Sequence, residues 1–212
     1  MNTELETNLK VILASPSLHG RFLNTLSYLE YIGFRKIVKS QQAESLTLAI
    51  LAHANEEGRH ALLLKKLALR VGGEALSTYR AETLLCGREA EEYFQALDAE
   101  ALRVAKSLLL SPAEQLRLVY AYVTWLVEER ALQVYGAYMR VAESMGLPTH
   151  FSGLLKEEDA HLREVKAQIF SNDPEGEKNR AELQRLEAGL YQKFLDSLNL
   201  ALTDLEAPRA SC

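Results

Sequence analysis

Residues 53–64, His53-Ala54-Asn55-Glu56-Glu57-Gly58-Arg59-His60-Ala61-Leu62-Leu63-Leu64, and residues 154–162, Leu154-Leu155-Lys156-Glu157-Glu158-Asp159-Ala160-His161-Leu162, carry the same device. Each holds a Glu-x-x-His unit, Glu57/His60 or Glu158/His161. A lone glutamate precedes each, Glu30 by 27 residues and Glu128 by 30. In an α-helix, residues three apart share one face about one turn apart, so a single metal ion can be touched by both members of the unit. Four carboxylates and two imidazoles on four inward-facing helices are the donor set of the two-metal centres found inside helix bundles. The repeat therefore predicts an all-α fold organised around Glu30, Glu57, His60, Glu128, Glu158 and His161.

The neighbours of these residues support an inward orientation. Helical spacing places Glu30 with Leu23, Leu26, Phe34 and Ile37, and it places Glu57 and His60 with Ile50, His53, Ala61 and Leu64. Glu128 shares a stripe with Ala121, Trp125, Leu132, Tyr135 and Met139, whereas the stripe of Glu129 meets Gln133 and Arg140. Glu128 is the expected ligand on that ground, and Glu56 and Glu157 fall off the metal-facing stripes. A single Glu-x-x-His unit would be read as a surface pair, but six residues on apolar stripes in a repeated pattern are not. His53, one turn before Glu57, is open to three readings: an extra ligand, a hydrogen-bond donor to a ligand, or a core histidine. Gly33 stands one turn after Glu30 inside a helical run, where glycine costs about 1 kcal/mol relative to alanine. Space beside the metals and close helix packing both account for it. Tyr28, Tyr31, Tyr122, Tyr135 and Tyr138 suit packing as well as radical or proton chemistry.

The chain has no proline between Pro16 and Pro112, which permits long helices. A first helix is predicted over 16–39 behind Ser15-Pro16, and a second over 43–71 ending at Gly72-Gly73. One or two further helices fill 74–110, with a break near Cys86-Gly87. Ser111-Pro112-Ala113-Glu114 is a capping box that opens a helix to about Met145. Gly146-Leu147-Pro148 separates it from a helix over 149–170, and Ser171-Asn172-Asp173-Pro174 from a last helix over 177–205. Residues 1–15 and 207–212 are expected to be frayed ends. If paired helices are antiparallel, residues level with one another lie equally far from the turn. The midpoint of Glu30 and Glu57 falls at residues 43–44 and that of Glu128 and Glu158 at 143, both near a predicted connection. The expected whole is a single domain of two helical hairpins joined by a long helical crossover, with an additional C-terminal helix.

At 212 residues the chain can bury a sizeable core. It is 48 % hydrophobic and 25 % charged, with net charge −5 and no basic stripe of the kind that binds nucleic acid. Its apolar runs are far shorter than the ~20 residues needed to span a bilayer. The start Met1-Asn2-Thr3-Glu4 lacks the basic and apolar blocks of a signal peptide, which predicts a cytoplasmic protein. Cys86 and Cys212 have no metal-binding or redox spacing and are read as free thiols.

At these residues the chain resembles the ferritin-like di-iron carboxylate superfamily of ferritins, rubrerythrins and O2-activating oxidases. Within it there is local similarity to the cyanobacterial aldehyde-deformylating oxygenases. Leu126-Val127-Glu128 with Tyr135 and Tyr138 resembles that family's Leu-Ile-Glu and its two downstream tyrosines. Lys156-Glu157-Glu158-Asp159-Ala160-His161 resembles its Lys-Asp-Glu-x-x-His, and Glu57-Gly58-Arg59-His60 its Glu-Met-Arg-His. The similarity covers the metal helices, about half of the chain. It implies a ferritin-like four-helix bundle, two iron ions, and Tyr135 and Glu157 paired behind the ligands.

Chemistry agrees with that cofactor. Four glutamates balance two divalent ions, and oxygen-rich ligation with one imidazole per metal suits iron, manganese or a mixed pair. Without metal the carboxylates would repel one another and some would hold protons. The expected function is an O2-dependent di-iron oxidoreductase, an oxygenase or oxidase acting on a small, apolar organic substrate. Leu26, Phe34, Leu64 and Tyr122 are candidates for lining its site. An external electron donor is implied, because no flavin or nicotinamide fingerprint is present. The alternative is a ferritin-like iron-oxidising or iron-handling protein with no organic substrate. An exposed apolar face on the crossover or last helix would support a homodimer.

Overall fold

Helix-favouring residues, apolar stripes of helical period and scarce proline leave little room for anything but helix. A computed structural model, which describes residues 3–40, 43, 46–173 and 176–206, is all-α. Its elements are α1 (Thr3–Ala14), α2 (Pro16–Ser40), α3 (Leu48–Gly72), two short 3-10 turns at Glu74–Leu76 and Ala81–Thr83, α4 (Gly87–Ser107), α5 (Pro112–Ser144), α6 (Ser152–Asn172) and α7 (Gly176–Glu206). No strand occurs among the described residues.

Local signals fix most boundaries. The Ser15 side chain accepts from Leu18 N–H at 3.4 Å ahead of α2. The Ser111 and Glu114 capping box opens α5, and Gly73 (φ 82°) and Gly146 (φ 70°) turn the chain out of α3 and α5 in a conformation that suits glycine. Cys86 takes the left-handed conformation (φ 55°) at the break before α4. Helix α3 starts at Leu48, later than expected, because Thr47 is extended and its hydroxyl accepts from Ile50 N–H at 3.3 Å. The expectation of a frayed start is corrected over residues 3–14. These form α1, in which Leu5, Leu9, Ile12 and Leu13 recur at helical spacing and are all buried. Residues 207–212 lie outside the described residues.

The chain divides into two compact units, residues 1–91 with 194–212, and residues 92–193, with the divisions falling inside α4 and α7. In the first unit α2 and α3 pack antiparallel. Ser27 donates to the Ala61 carbonyl at 2.7 Å, His60 faces Glu30, and Gly33 faces Glu57. At one end of this hairpin Gly20 meets Gly72 so closely that a Cβ on Gly20 would lie 2.8 Å from Gly72 Cα.

The polar face of α2 is buried under the segment between α3 and α4. Asn24 Nδ2 donates to the Thr78 and Thr83 carbonyls at 3.0 and 2.9 Å, Arg21 donates twice to the Leu84 carbonyl, and Thr25 exchanges hydrogen bonds with the backbone of Leu85. Lys65 of α3 donates to Asn24 and to the Leu76 and Thr78 carbonyls, and its Nζ lies 3.6 Å from the centre of the Tyr79 ring. Backbone groups of a loop that would otherwise be stranded away from water are satisfied this way.

In the second unit α5 and α6 are also antiparallel. Phe151, just before α6, packs on Tyr135 and Tyr138, with ring centroids 5.2 and 4.7 Å apart. Farther along, Lys166 pairs with Glu129 at 3.0 Å, and Tyr122 donates to the Asp173 carboxylate. Glu187 of α7 is 6 % exposed. It accepts two hydrogen bonds from Arg130, at 2.8 and 2.7 Å, and one from Tyr93 at 2.7 Å, while the guanidinium lies 3.8 Å from the centre of the Tyr191 ring. Burial, and then the adjacent carboxylate, push the Tyr93 phenol well above its ordinary pKa.

Candidate metal centre

Each unit holds a group of two glutamates and one histidine. In the first, α2 supplies Glu30 and α3 supplies Glu57 and His60, all buried. Their ligand atoms, one from each, lie within 4.8 Å of one another. His60 Nδ1 stands 3.6 Å from Glu30 Oε2. The second unit repeats the composition. Glu128 of α5 and Glu158 of α6 are 2 % and 1 % exposed, and His161 Nδ1 lies 3.5 Å from Glu128 Oε1 and 3.9 Å from Glu158 Oε2.

These separations are informative. At 3.5–3.9 Å, histidine and carboxylate are too far apart for a good hydrogen bond. Two atoms each about 2.1 Å from one ion lie between ~3 and ~4.2 Å apart, depending on the angle at the metal, and all three distances fall in that interval. The helices impose the arrangement. Glu57 with His60, and Glu158 with His161, share a face because they are three residues apart, and the antiparallel hairpins bring Glu30 and Glu128 level with them. Buried carboxylates at such density are costly unless a cation compensates them. Each group of two carboxylates and one imidazole balances one divalent cation, so these buried clusters are able to hold metal.

Glu57 is held on two sides. His53, 5 % exposed and one turn earlier on α3, approaches Glu57 Oε1 through Nε2 at 3.2 Å. On the other side Oε2 occupies the place that a side chain at residue 33 would take: a Cβ on Gly33 would lie 2.3 Å from it. The glycine is thus a cradle for a carboxylate, a role that sequence left open between space near the metals and helix packing. The signal was present in the register, since an antiparallel hairpin that levels Glu30 with His60 also levels Gly33 with Glu57.

The remaining expectations sort by burial and partner. Glu129 is half-buried and paired with Lys166, and Glu56 approaches Arg59 at 3.6 Å, so both face away from the Glu/His groups. Tyr135 is 2 % exposed against Phe151, while Glu157 is half-buried. Leu26 and Leu64 are buried and Phe34 is half-buried, packing near Gly58. Tyr122 is committed to Asp173 rather than to a Glu/His group, and burial with that hydrogen bond raises its pKa. Tyr138 is buried, which pushes its phenol up to about 12. The polar assembly of Tyr93, Arg130, Glu187 and Tyr191 was not anticipated. Arg130 and Glu187 each look solvent-facing by type, and only their packing pairs them. No helix among the described residues is long and apolar enough to cross a membrane. No protein-family model, curated protein or solved structure matches the chain, and the case for metal rests on the donor geometry.

Proposed function

We propose that the chain is an O2-dependent di-iron oxidoreductase of the ferritin-like four-helix-bundle class, acting on a small apolar organic molecule. The observation that carries this reading is the duplication of a Glu/Glu/His group with buried carboxylates, one copy from α2 and α3 and one from α5 and α6. Glu30, Glu57 and His60 would hold one iron, and Glu128, Glu158 and His161 the other. Two bound ferrous ions would supply electrons and open coordination positions for O2.

The chain's own residues supply the rest. Four carboxylates neutralise the bound charge, and one imidazole per ion fixes an oxygen-rich environment that favours iron or manganese. Buried apolar side chains about one turn from the ligands, Leu26 and Leu64 in one unit and Trp125 and Leu154 in the other, keep bulk water from the site and favour an apolar substrate over a charged one. An external reductase would renew the electrons.

The test is metal content per chain after anaerobic reconstitution with Fe(II), for the wild type and for Glu57→Ala/Glu158→Ala. Two equivalents, lost in the variant, are expected, followed by O2 uptake coupled one-for-one to product when apolar substrates and a reductant are supplied. Less than one tightly bound ion in the wild type would sink the proposal. Repeated oxidation of excess Fe(II) to a ferric deposit would replace it by an iron-handling role.

A further inference from the structure

We infer that His53 is a positioning residue that holds the Glu57 carboxylate by Oε1 and so restricts it to binding metal through Oε2 alone. The inference rests on the metal-centre reading above and goes beyond it by assigning a binding mode to one ligand and a role to a residue outside the six. Both side chains belong to α3, four residues apart, so the contact is set by helical spacing. Both are buried, at 5 % and 8 % exposure, and Nε2 stands 3.2 Å from Oε1. An N–H that donates there fixes the plane of the carboxylate, because Gly33 allows Oε2 to rest against α2 on the opposite side. A carboxylate restrained in this way cannot swing to a bidentate mode without breaking its hydrogen bond, and groups that orient ligands typically change metal affinity by about 10–100-fold when removed.

The experiment compares wild type, His53→Ala and His53→Gln. Co(II) serves as the spectroscopic probe and Fe(II) as the metal for titration, with the urea midpoint of each apoprotein as the check on folding. In His53→Ala we expect unchanged stoichiometry, affinity weaker by about 10–100-fold, and a Co(II) visible spectrum shifted toward the weaker bands of a higher coordination number as Oε1 is released. His53→Gln, whose amide N–H can reach the same oxygen, should restore both. A purely structural role would move the urea midpoint without changing the Co(II) spectrum. Affinity and spectrum like the wild type in His53→Ala would overturn the positioning role, and so would loss of a full equivalent of metal, which would make His53 a ligand. A wild type that binds no metal would overturn the underlying reading instead, so the two failures are separable.

Discussion

Replacing Gly33 by alanine adds one methyl group where α2 meets the Glu57 carboxylate. The new Cβ would lie 2.3 Å from Oε2 and 3.3 Å from Cδ, and separations under 3.0 Å are essentially never seen for a Cβ. The carboxylate must therefore retreat by at least about 0.7 Å. Two effects act on the apoprotein in opposite directions. Alanine gains about 1 kcal/mol of helix propensity over glycine, and an off-rotamer Glu57 side chain loses about 0.5–1.5 kcal/mol. Stability should thus stay within about 1 kcal/mol of wild type. Metal affinity has no such compensation, because the displaced group is a ligand whose other oxygen His53 holds at 3.2 Å. A fall of about 10–100-fold is expected. Gly58→Ala is the matched control. It lies inside the Glu57-to-His60 motif, yet the atoms nearest its Cβ would be those of the Phe34 ring, at 3.7 Å and beyond, an ordinary contact. It should gain stability from propensity and keep its metal. The assay is anaerobic Fe(II) titration beside urea unfolding of the apoproteins. Wild-type affinity in Gly33→Ala, or equal loss of affinity in both variants, would refute the reasoning.

Glu187→Ala leaves the Arg130 guanidinium, 16 % exposed, without its carboxylate and removes the acceptor of Tyr93. Breaking a buried pair from one side typically costs about 3–5 kcal/mol, so urea unfolding should show a loss of that order, and a loss below about 1 kcal/mol would mean that the assembly contributes little. Lys65 gives a pH dependence: burial lowers its pKa to about 8, against 10.5 for an ordinary lysine. Between those values the unfolded chain binds more protons than the folded one, so the contribution of this group to stability rises as pH climbs from about 8 toward 10.5 and is flat below. The groups facing its ammonium are Asn24, the Leu76 and Thr78 carbonyls and the Tyr79 ring. The Tyr79 phenol, raised by burial, works in the opposite direction above pH 10. Urea midpoints at pH 8 and 9.5 should therefore rise more in wild type than in Lys65→Met, and equal slopes would count against a desolvated, half-buried ammonium.

Much of the architecture was legible from local chemistry alone. Ser111-Pro112-Ala113-Glu114 opens α5 because a capping box satisfies backbone groups that no tertiary neighbour supplies, and Gly73 and Gly146 end helices because they adopt positive φ without strain. The helical period that puts Glu57 over His60 and Glu158 over His161 is likewise local, and apolar company was enough to turn Glu128 rather than Glu129 inward. The stripe of α1, with Leu5, Leu9, Ile12 and Leu13 at helical spacing, is equally local.

Other features exist only once distant residues meet. The cradle of Gly33 under Glu57, the close approach of Gly20 to Gly72, and the layer of Asn24, Thr25 and Lys65 under the 73–86 segment all depend on the register between α2 and what packs on it. Arg130 and Glu187 are 57 residues apart, and a charged side chain carries no local mark of the partner that will allow it to be buried. Helices, caps and ligand spacing are written by neighbours along the chain; close approaches and buried charge pairs are decided by packing, because their free energy comes from removing water between surfaces that the sequence does not place side by side.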